Sequence, residues 1–432
     1  MIPILITQFA QAGLGLIDTI MAGHLSASDL AAIAVGVGIW IPVMLMFTGI
    51  VLATTPLVAE AFGARQEHQI PHIVRQALWV AGLLGFLALL LLQFIPLLLP
   101  LFKVPANLIP KASLFLHAVG FGMPAITLYT ALRCYSEALG YPRPVTVISL
   151  LSLVVLVPLD YIFMYGVGGL PRLGSAGCGF ATAILQWLML ATLAGYIYQA
   201  KAYQSHKIFS QWGRLDPTIA KRILALGVPI GLAVFFEVSI FSTAAIILSP
   251  LGDTIIAAHQ IAISVTSQLF MIPMSLAIAL TIRVGTYYGE KNWEGMRKVQ
   301  KLGLMTATGM ACLTMGFIAL FHNQITALYT TDPAVAQVTV YLLFFCIAYQ
   351  MMDAWQVSAA GCLRGMQDTQ APMWITLLAY WVVALPLIIY WIRYQHMGPQ
   401  GVWISLIIGL TVACVLLLGR LYWMNQRLKL QA

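Results

Sequence analysis

Residues 219–249 read IAKRILALGVPIGLAVFFEVSIFSTAAIILS. After Arg222 the run stays apolar for longer than the roughly 20 residues a helix needs to cross a bilayer. One acid, Glu237, stands in its middle. A carboxylate in hydrocarbon costs about 2.5–3.5 kcal/mol on insertion scales, so such residues face a protein interior or a water-filled cavity and commonly mark ion or proton pathways. The stretch therefore carries two readings together: a membrane span, and a side chain whose cost needs a reason. Asp18 and Asp353 interrupt apolar runs in the same way.

The rest of the chain agrees with the first reading. Of 432 residues, 61% are hydrophobic and only 8% charged, with a mean hydropathy of +0.90. A soluble domain carries about 25% charged residues. Twelve span-length segments are expected, at 2–24, 30–60, 72–101, 111–138, 144–166, 175–200, 219–249, 255–288, 299–322, 334–366, 371–394 and 398–425. Threading them from a cytoplasmic N-terminus puts 18 of the 22 Lys and Arg in cytoplasmic segments. Only Lys103, Lys111, Arg172 and Arg393 fall outside. This asymmetry places both termini in the cytoplasm. It also accounts for the net charge of +8 without nucleic acid.

The most polar internal stretch, KAYQSHKIFSQWGRLDPT at 201–218, reads as a cytoplasmic linker between a lobe at 1–200 and a lobe at 219–432. The halves repeat one another. At an offset of 226, Pro3 meets Pro229, Leu25 meets Leu251, Ala31 and Ala32 meet Ala257 and Ala258, and Gly63 meets Gly289. At 228, Pro144 meets Pro372 and Pro158 meets Pro386; at 224, Gly174 and Gly177 meet Gly398 and Gly401. A near-constant offset is not a property of chance matches. The expected fold is all-α: twelve transmembrane helices in two six-helix lobes, related by a pseudo-two-fold axis along the membrane normal. The acids break this symmetry, since Asp18 meets Ala244 and Glu237 meets Gln11. They are not part of the shared scaffold.

Asp353 lies in IAYQMMDAWQVS with Tyr349 four residues before it and Gln356 three after, all on one helical face. Carboxylate, phenol and amide together suit oxygen ligation of a small cation or relay of a proton. Glu237 has only apolar helical neighbours, so it takes a partner from another helix or carries a proton for part of its time. Gln11, Gly15 and Asp18 form a polar, close-packing stripe on the first helix; Asp160, in VPLDYIF, is a further candidate nearer the outer end of its span. Glu60 and Glu137 read as surface ion pairs. His117 and His259 read as hydrogen-bonded structural residues, with proton relay as the alternative, and Pro158 and Pro386 as matched kinks. The six cysteines form no CxxC or Cys/His pattern and read as small core residues. Met and aromatic clusters such as FMIPM (270–274) would make an adaptable apolar wall.

No GxxxxGK[ST], HExxH or GxSxG is present, so direct ATP drive and hydrolytic catalysis are not expected. Energy then comes from an ion gradient, a substrate gradient or a partner. A membrane-embedded enzyme would need convergent catalytic groups near a headgroup plane, and the loops offer none. No cleavable leader is expected, because the first span begins at once.

LIDTIMAGHLSASDLAAIAVG at 16–36, FFEVSIF at 235–241, AAHQIAISVTSQLFMIP at 257–273, MMDAWQ at 351–356 and CLRGMQDTQAP at 362–372 resemble the NorM-type branch of the multidrug and toxic compound extrusion (MATE) family, over essentially the whole chain. The resemblance implies two six-helix lobes around a V-shaped cavity in a bacterial inner membrane. It implies a cation-coupled multidrug efflux antiporter, exporting organic cations and amphipathic drugs by alternating access against inward Na⁺ or H⁺. The coupling ion replaces any cofactor, and a monomer in the lipid bilayer is expected. The family's monovalent-cation site falls on Glu237, Tyr349 and Asp353, and its first-lobe acid on Asp18. Asp160 stands where NorM-type relatives often have Asn. The chain also lacks their usual short segment before the first helix, which points to a shortened N-terminus. A lipid-linked oligosaccharide flippase is the alternative of similar architecture; it would want basic groups in its cavity, whereas Lys and Arg here keep to loops and helix ends.

Overall fold

The computed structural model describes residues 1–23, 27–100, 105–166, 172–210 and 213–430. Leu25, Lys103 and the linker residues Gln211 and Trp212, used above, lie outside the described residues. Eleven helical segments among them are long and apolar enough to cross a bilayer. A twelfth span is broken, its two helices meeting at 41°. By contact, the chain divides into two compact units, 2–231 and 232–432.

The first unit contains α1 (Ile2–Gly23), α2 (Ala27–Val51), α3 (Thr54–Gly63), α4 (Ile70–Phe94), α5 (Ile109–Gly120), α6 (Met123–Ala138), α7 (Arg143–Tyr165) and α8 (Ser175–Gln199). It also takes the first turns of α9 (Pro217–Leu248). The broken span is α5 with α6. Its bend falls in Gly120-Phe121-Gly122-Met123-Pro124, where two glycines favour a turn and Pro124 serves as an early residue of the next helix. Helix α7 packs on α1 and α8, and α4 packs on α6. Helix α9 lies so close to α2 that a Cβ on Gly227 would sit 2.1 Å from the Ile50 carbonyl oxygen. With no hydrophobic drive between helices in lipid, such small-residue contacts carry association.

The second unit contains the rest of α9, then α10 (Asp253–Gly289), α11 (Trp293–Tyr329) and α12 (Pro333–Gly365). An eleventh span follows as α13 (Gln370–Leu377), a π-helical turn (Leu378–Ala384) and α14 (Leu385–Arg393), and α15 (Pro399–Leu430) closes the unit. Helix α12 is central, packing on α10, α11 and α15. Helices α11 and α12 start with side-chain caps: Asn292 accepts from the Gly295 N–H at 2.9 Å, and Asp332, before Pro333, accepts from the Ala334 N–H at 2.8 Å.

The repeat is written into the turns. Gln66 N–H bonds the Ala61 carbonyl at 2.9 Å around Arg65, whose φ is +56°. Asn292 N–H bonds the Tyr287 carbonyl at 3.0 Å around Lys291, φ +57°. A second pair, Tyr141 to Ser136 around Gly140 and Asp368 to Leu363 around Gln367, has the same form. Each is a six-to-one helix stop with a left-handed residue at its corner. Members of each pair stand 226 or 227 residues apart, close to the offset of the sequence matches.

The prolines matched in sequence are not matched in geometry. Pro158 sits inside an unbroken α7. Pro386, which lacks an N–H and crowds the carbonyl four residues back, follows the π-helical turn. The linker is tied to the first unit rather than loose. Tyr203 and Ser136 hydroxyls lie 2.6 Å apart, the Gln76 amide donates to the Arg214 carbonyl at 3.1 Å, and the Trp79 indole donates to the Gly213 carbonyl at 3.2 Å.

Candidate functional site

In the second unit, the mid-span acid of α9 and the polar face of α12 come together. The Tyr380 and Gln356 side chains lie beside the Glu237 carboxylate. The Tyr380 hydroxyl also lies 3.4 Å from the Gln356 amide oxygen. The Arg364 guanidinium, two turns beyond Gln356 on α12, acts on Glu237 electrostatically. Glu237 therefore does find partners on other helices. Tyr380 reaches it from the π-helical turn, an irregularity that often marks functional positions.

Asp353 shares this field with Glu237 and Tyr349. Its side chain is 0% exposed and neither carboxylate oxygen has a hydrogen-bond partner. One turn back, the Gln350 amide nitrogen is also unpartnered. Buried polar atoms are almost always satisfied, and an unpaired buried carboxylate is costly enough that it holds a proton or a counter-ion. An apolar and aromatic wall surrounds it. Tyr349 meets Phe241 of α9 at 6.4 Å and Trp403 of α15 at 6.1 Å between ring centroids. His259 of α10 meets Trp403 at 5.9 Å. The hydrogen-bonded structural role expected for His259 does not hold: both its ring nitrogens are buried without a partner. His117 fits that role, with Nδ1 2.7 Å from the Gln93 amide oxygen.

The first unit brings together a different set. Asp18 of α1, Asp160 of α7 and Cys178 of α8 are buried with their ligand atoms all within 4.8 Å of one another. The Thr182 hydroxyl, one turn after Cys178, donates to Asp18 Oδ2 at 3.3 Å. Asp160 is thus not a tolerated end-of-span acid; it is 0% exposed and faces Asp18. Gln11 is not in this cluster. Its amide oxygen accepts from Arg133 of α6 at 3.1 Å, and Arg133 pairs with Glu137 at 3.7 Å. The pair is buried, with Glu137 only 3% exposed, and so is not the surface pair that its place near a helix end suggests. Glu60 does form a partly exposed pair, 2.7 Å from Arg222.

Spacing along the chain put Tyr349, Asp353 and Gln356 on one helical face, and the family resemblance added Glu237 to Tyr349 and Asp353. It missed Tyr380, Arg364 and Cys178 as site residues. Tyr380 and Cys178 lie in runs where a tyrosine or cysteine reads as packing, and Arg364 was counted with the cytoplasmic loops.

A protein-family model described as MatE matches the chain twice, over residues 3–162 and again over 229–390. A curated relative, "Probable multidrug resistance protein NorM" of Acinetobacter baylyi, is 73% identical over 430 residues, covering 100% of this chain and 96% of that one. "Multidrug resistance protein NorM" of Vibrio cholerae is 39% identical, covering 98% and 94%. Among solved structures, an outward-facing multidrug resistance MATE family transporter superposes with a TM-score of 0.89 at 20% identity, covering 99% of this chain and 95% of that one. At that identity the likeness speaks to the fold alone.

Proposed function

Because the chain belongs to the MATE family, we propose that it is a cation-coupled multidrug efflux antiporter of a bacterial inner membrane, working as a monomer with both termini cytoplasmic. Its substrates are organic cations and other amphipathic drugs. Its energy comes from inward Na⁺ or H⁺ flow through the second unit. The observation that carries this reading is Asp353, fully buried with both oxygens unpartnered, in one field with Glu237 and Tyr349.

The residues divide the work. Asp353 and Glu237 supply negative charge in a low dielectric, where a single proton or Na⁺ changes the electrostatic energy strongly. Tyr349, Tyr380 and Gln356 supply neutral oxygens, which complete a ligand set for Na⁺ or pass a proton between the carboxylates. Arg364 partly offsets the charge of Glu237 and leaves Asp353 the more exacting of the two acids. A cation bound here biases the conformational equilibrium only through its different affinity for the two states. Charge is the source of that difference. The same charge makes a cationic drug and the coupling ion mutually exclusive.

Ethidium efflux from proteoliposomes under separately imposed Na⁺ and pH gradients tests the reading and identifies the ion. Asp353→Asn is expected to abolish gradient-driven efflux and drug resistance while inserting normally. Unimpaired resistance in a well-expressed Asp353→Asn variant would overturn it.

A further inference from the structure

Helices α11 and α15 of the second unit both pack along α12 and meet each other only briefly. Between them opens a cleft of about 440 Å³, whose rim residues Met305 and Tyr422 are 61% and 67% exposed. Trp355 of α12 lines its floor, its indole donating to the Thr308 hydroxyl at 2.9 Å. The Asn425 amide donates to the Gln300 amide oxygen at 2.7 Å and so ties the two walls together. The lining is graded along the helices. Arg297 and Lys301, near the start of α11, stand at the same end as Asn425 and Tyr422, near the finish of α15. About a turn further into the span the walls become Leu304, Met305 and Leu418. The two cations are not neutralised. The Arg297 Nε–H donates to the Trp293 carbonyl at 3.1 Å, and neither Arg297 nor Lys301 forms an ion pair among the described residues. The acids nearby are already engaged, Glu294 by Lys298 at 2.7 Å and Asp368 by Arg420 at 2.7 Å.

From this arrangement we infer that the α11–α15 cleft binds one anionic phospholipid, its phosphate held by Arg297 and Lys301 and an acyl chain laid on Leu304, Met305 and Leu418. Both walls belong to helices long and apolar enough to cross a bilayer. The occupant must therefore be charged at the helix ends and hydrocarbon further in, in the order a phospholipid presents. A guanidinium offers a phosphate two parallel hydrogen bonds, and an ammonium adds a mobile point charge. Basic pockets between membrane helices on the cytoplasmic side take anionic headgroups in this way. The bias of Lys and Arg assigns this end to the cytoplasm. Exposed Tyr422 and Trp423 suit the headgroup level at the same end. A cationic drug would be repelled by the same two side chains. A free phosphate ion would satisfy them but leave the apolar half of the cleft empty. The inference needs only the bilayer setting and is separate from the transport reading.

Native mass spectrometry of the purified full-length protein tests this, with phosphatidylglycerol and phosphatidylcholine of identical acyl chains titrated in parallel. One phosphatidylglycerol per chain is expected to stay bound, with affinity about tenfold or more above that of phosphatidylcholine. Lys301→Gln is expected to cut this preference about five-fold, and Arg297→Gln with Lys301→Gln to abolish it. Lys298→Gln removes the same charge from outside the cleft and is expected to leave the preference unchanged. Inorganic phosphate is expected not to displace the lipid. Each variant is compared at an unchanged lipid-free melting profile, and exposed Lys301 alone decides if the double variant does not fold. Equal retention of the two lipids, or a preference that survives these substitutions, overturns the assignment. So does an equal loss in Lys298→Gln, which would reduce the effect to general surface charge, or ready displacement by inorganic phosphate. The readout is lipid retention, so it stands or falls independently of drug transport.

Discussion

The Tyr380 hydroxyl lies 3.4 Å from the Gln356 amide oxygen, and both side chains reach Glu237. The contact joins the π-helical turn of the eleventh span to the polar face of α12. Tyr380 lies within that widened turn, and Pro386, which cannot donate to the helix ladder, follows it. Tyr380→Phe keeps the ring and removes one hydrogen bond to a charged group, an interaction of about 1.5–3 kcal/mol. The expected result is an increase of about tenfold or more in the ion concentration giving half-maximal efflux, with protein abundance unchanged. Proteoliposome efflux measured against ion concentration reads this directly; an unshifted midpoint would remove Tyr380 from the site.

The buried pair Arg133–Glu137 predicts a stability effect. Removing one partner leaves an uncompensated charge, which costs about 3–5 kcal/mol. Arg133→Met is expected to lose that much, because Glu137 is 3% exposed and has no solvent to turn to. Arg133→Met with Glu137→Leu is expected to recover most of it, since replacing both charges by apolar groups is often neutral or better. Detergent thermal-shift measurements on the two single variants and the double variant form the cycle. Additive losses would show that the pair does not interact.

These contacts mark where the sequence was readable. Span number and boundaries follow from hydropathy, because in a bilayer every backbone group must be satisfied within its own helix. The repeat was visible in a few prolines and glycines, and the paired turns around Arg65 and Lys291 show why: the chain must stop and reverse at equivalent places. Glu237 and Asp353 were visible because a carboxylate is out of place in an apolar run. Tyr380 and Cys178 were not, since a phenol or thiol is at home there and only its neighbours reveal its use. Those neighbours come from distant helices, and no spacing within one helix encodes them. Arg133 lies within the expected span 111–138, and its side chain is buried between Gln11 of α1 and Glu137 of its own helix.

The linker carries a pH dependence of its own. His206 Nδ1 lies 2.8 Å from the Tyr135 hydroxyl, and burial pushes the imidazole below its ordinary range, opposed only in part by Glu67. The folded state thus binds the proton less readily than the unfolded one. The docked linker is most stable above about pH 6.5, and that stability is lost as pH falls through the lowered value. Trypsin cleavage at Lys201, Lys207 and Arg214 is measured for the protein and for His206→Asn at pH 5 and pH 7.5. Dividing the first rate by the second at each pH removes the protease's own pH dependence, and this ratio is expected to be higher at pH 5. A ratio equal at the two pH values would show that His206 does not govern docking.

Gly227 tests the crossing of α9 over α2. A Cβ there would lie 2.1 Å from the Ile50 carbonyl oxygen, and the opposing atom is backbone, which cannot swing aside. Gly227→Ala must separate the two helices or bend one of them, and overpacking of this kind costs about 1–3 kcal/mol. Gly15 on α1 is the control, because a Cβ there meets nothing within 4 Å. Gly15→Ala is expected to leave the melting temperature level or slightly raised, since alanine favours the helix by about 1 kcal/mol. Gly227→Ala is expected to lower it, with a matching loss of monodisperse protein on extraction. If the two variants melt alike, the α9–α2 approach is looser than its geometry implies. Association of these helices would then rest on their larger side chains rather than on backbone contact.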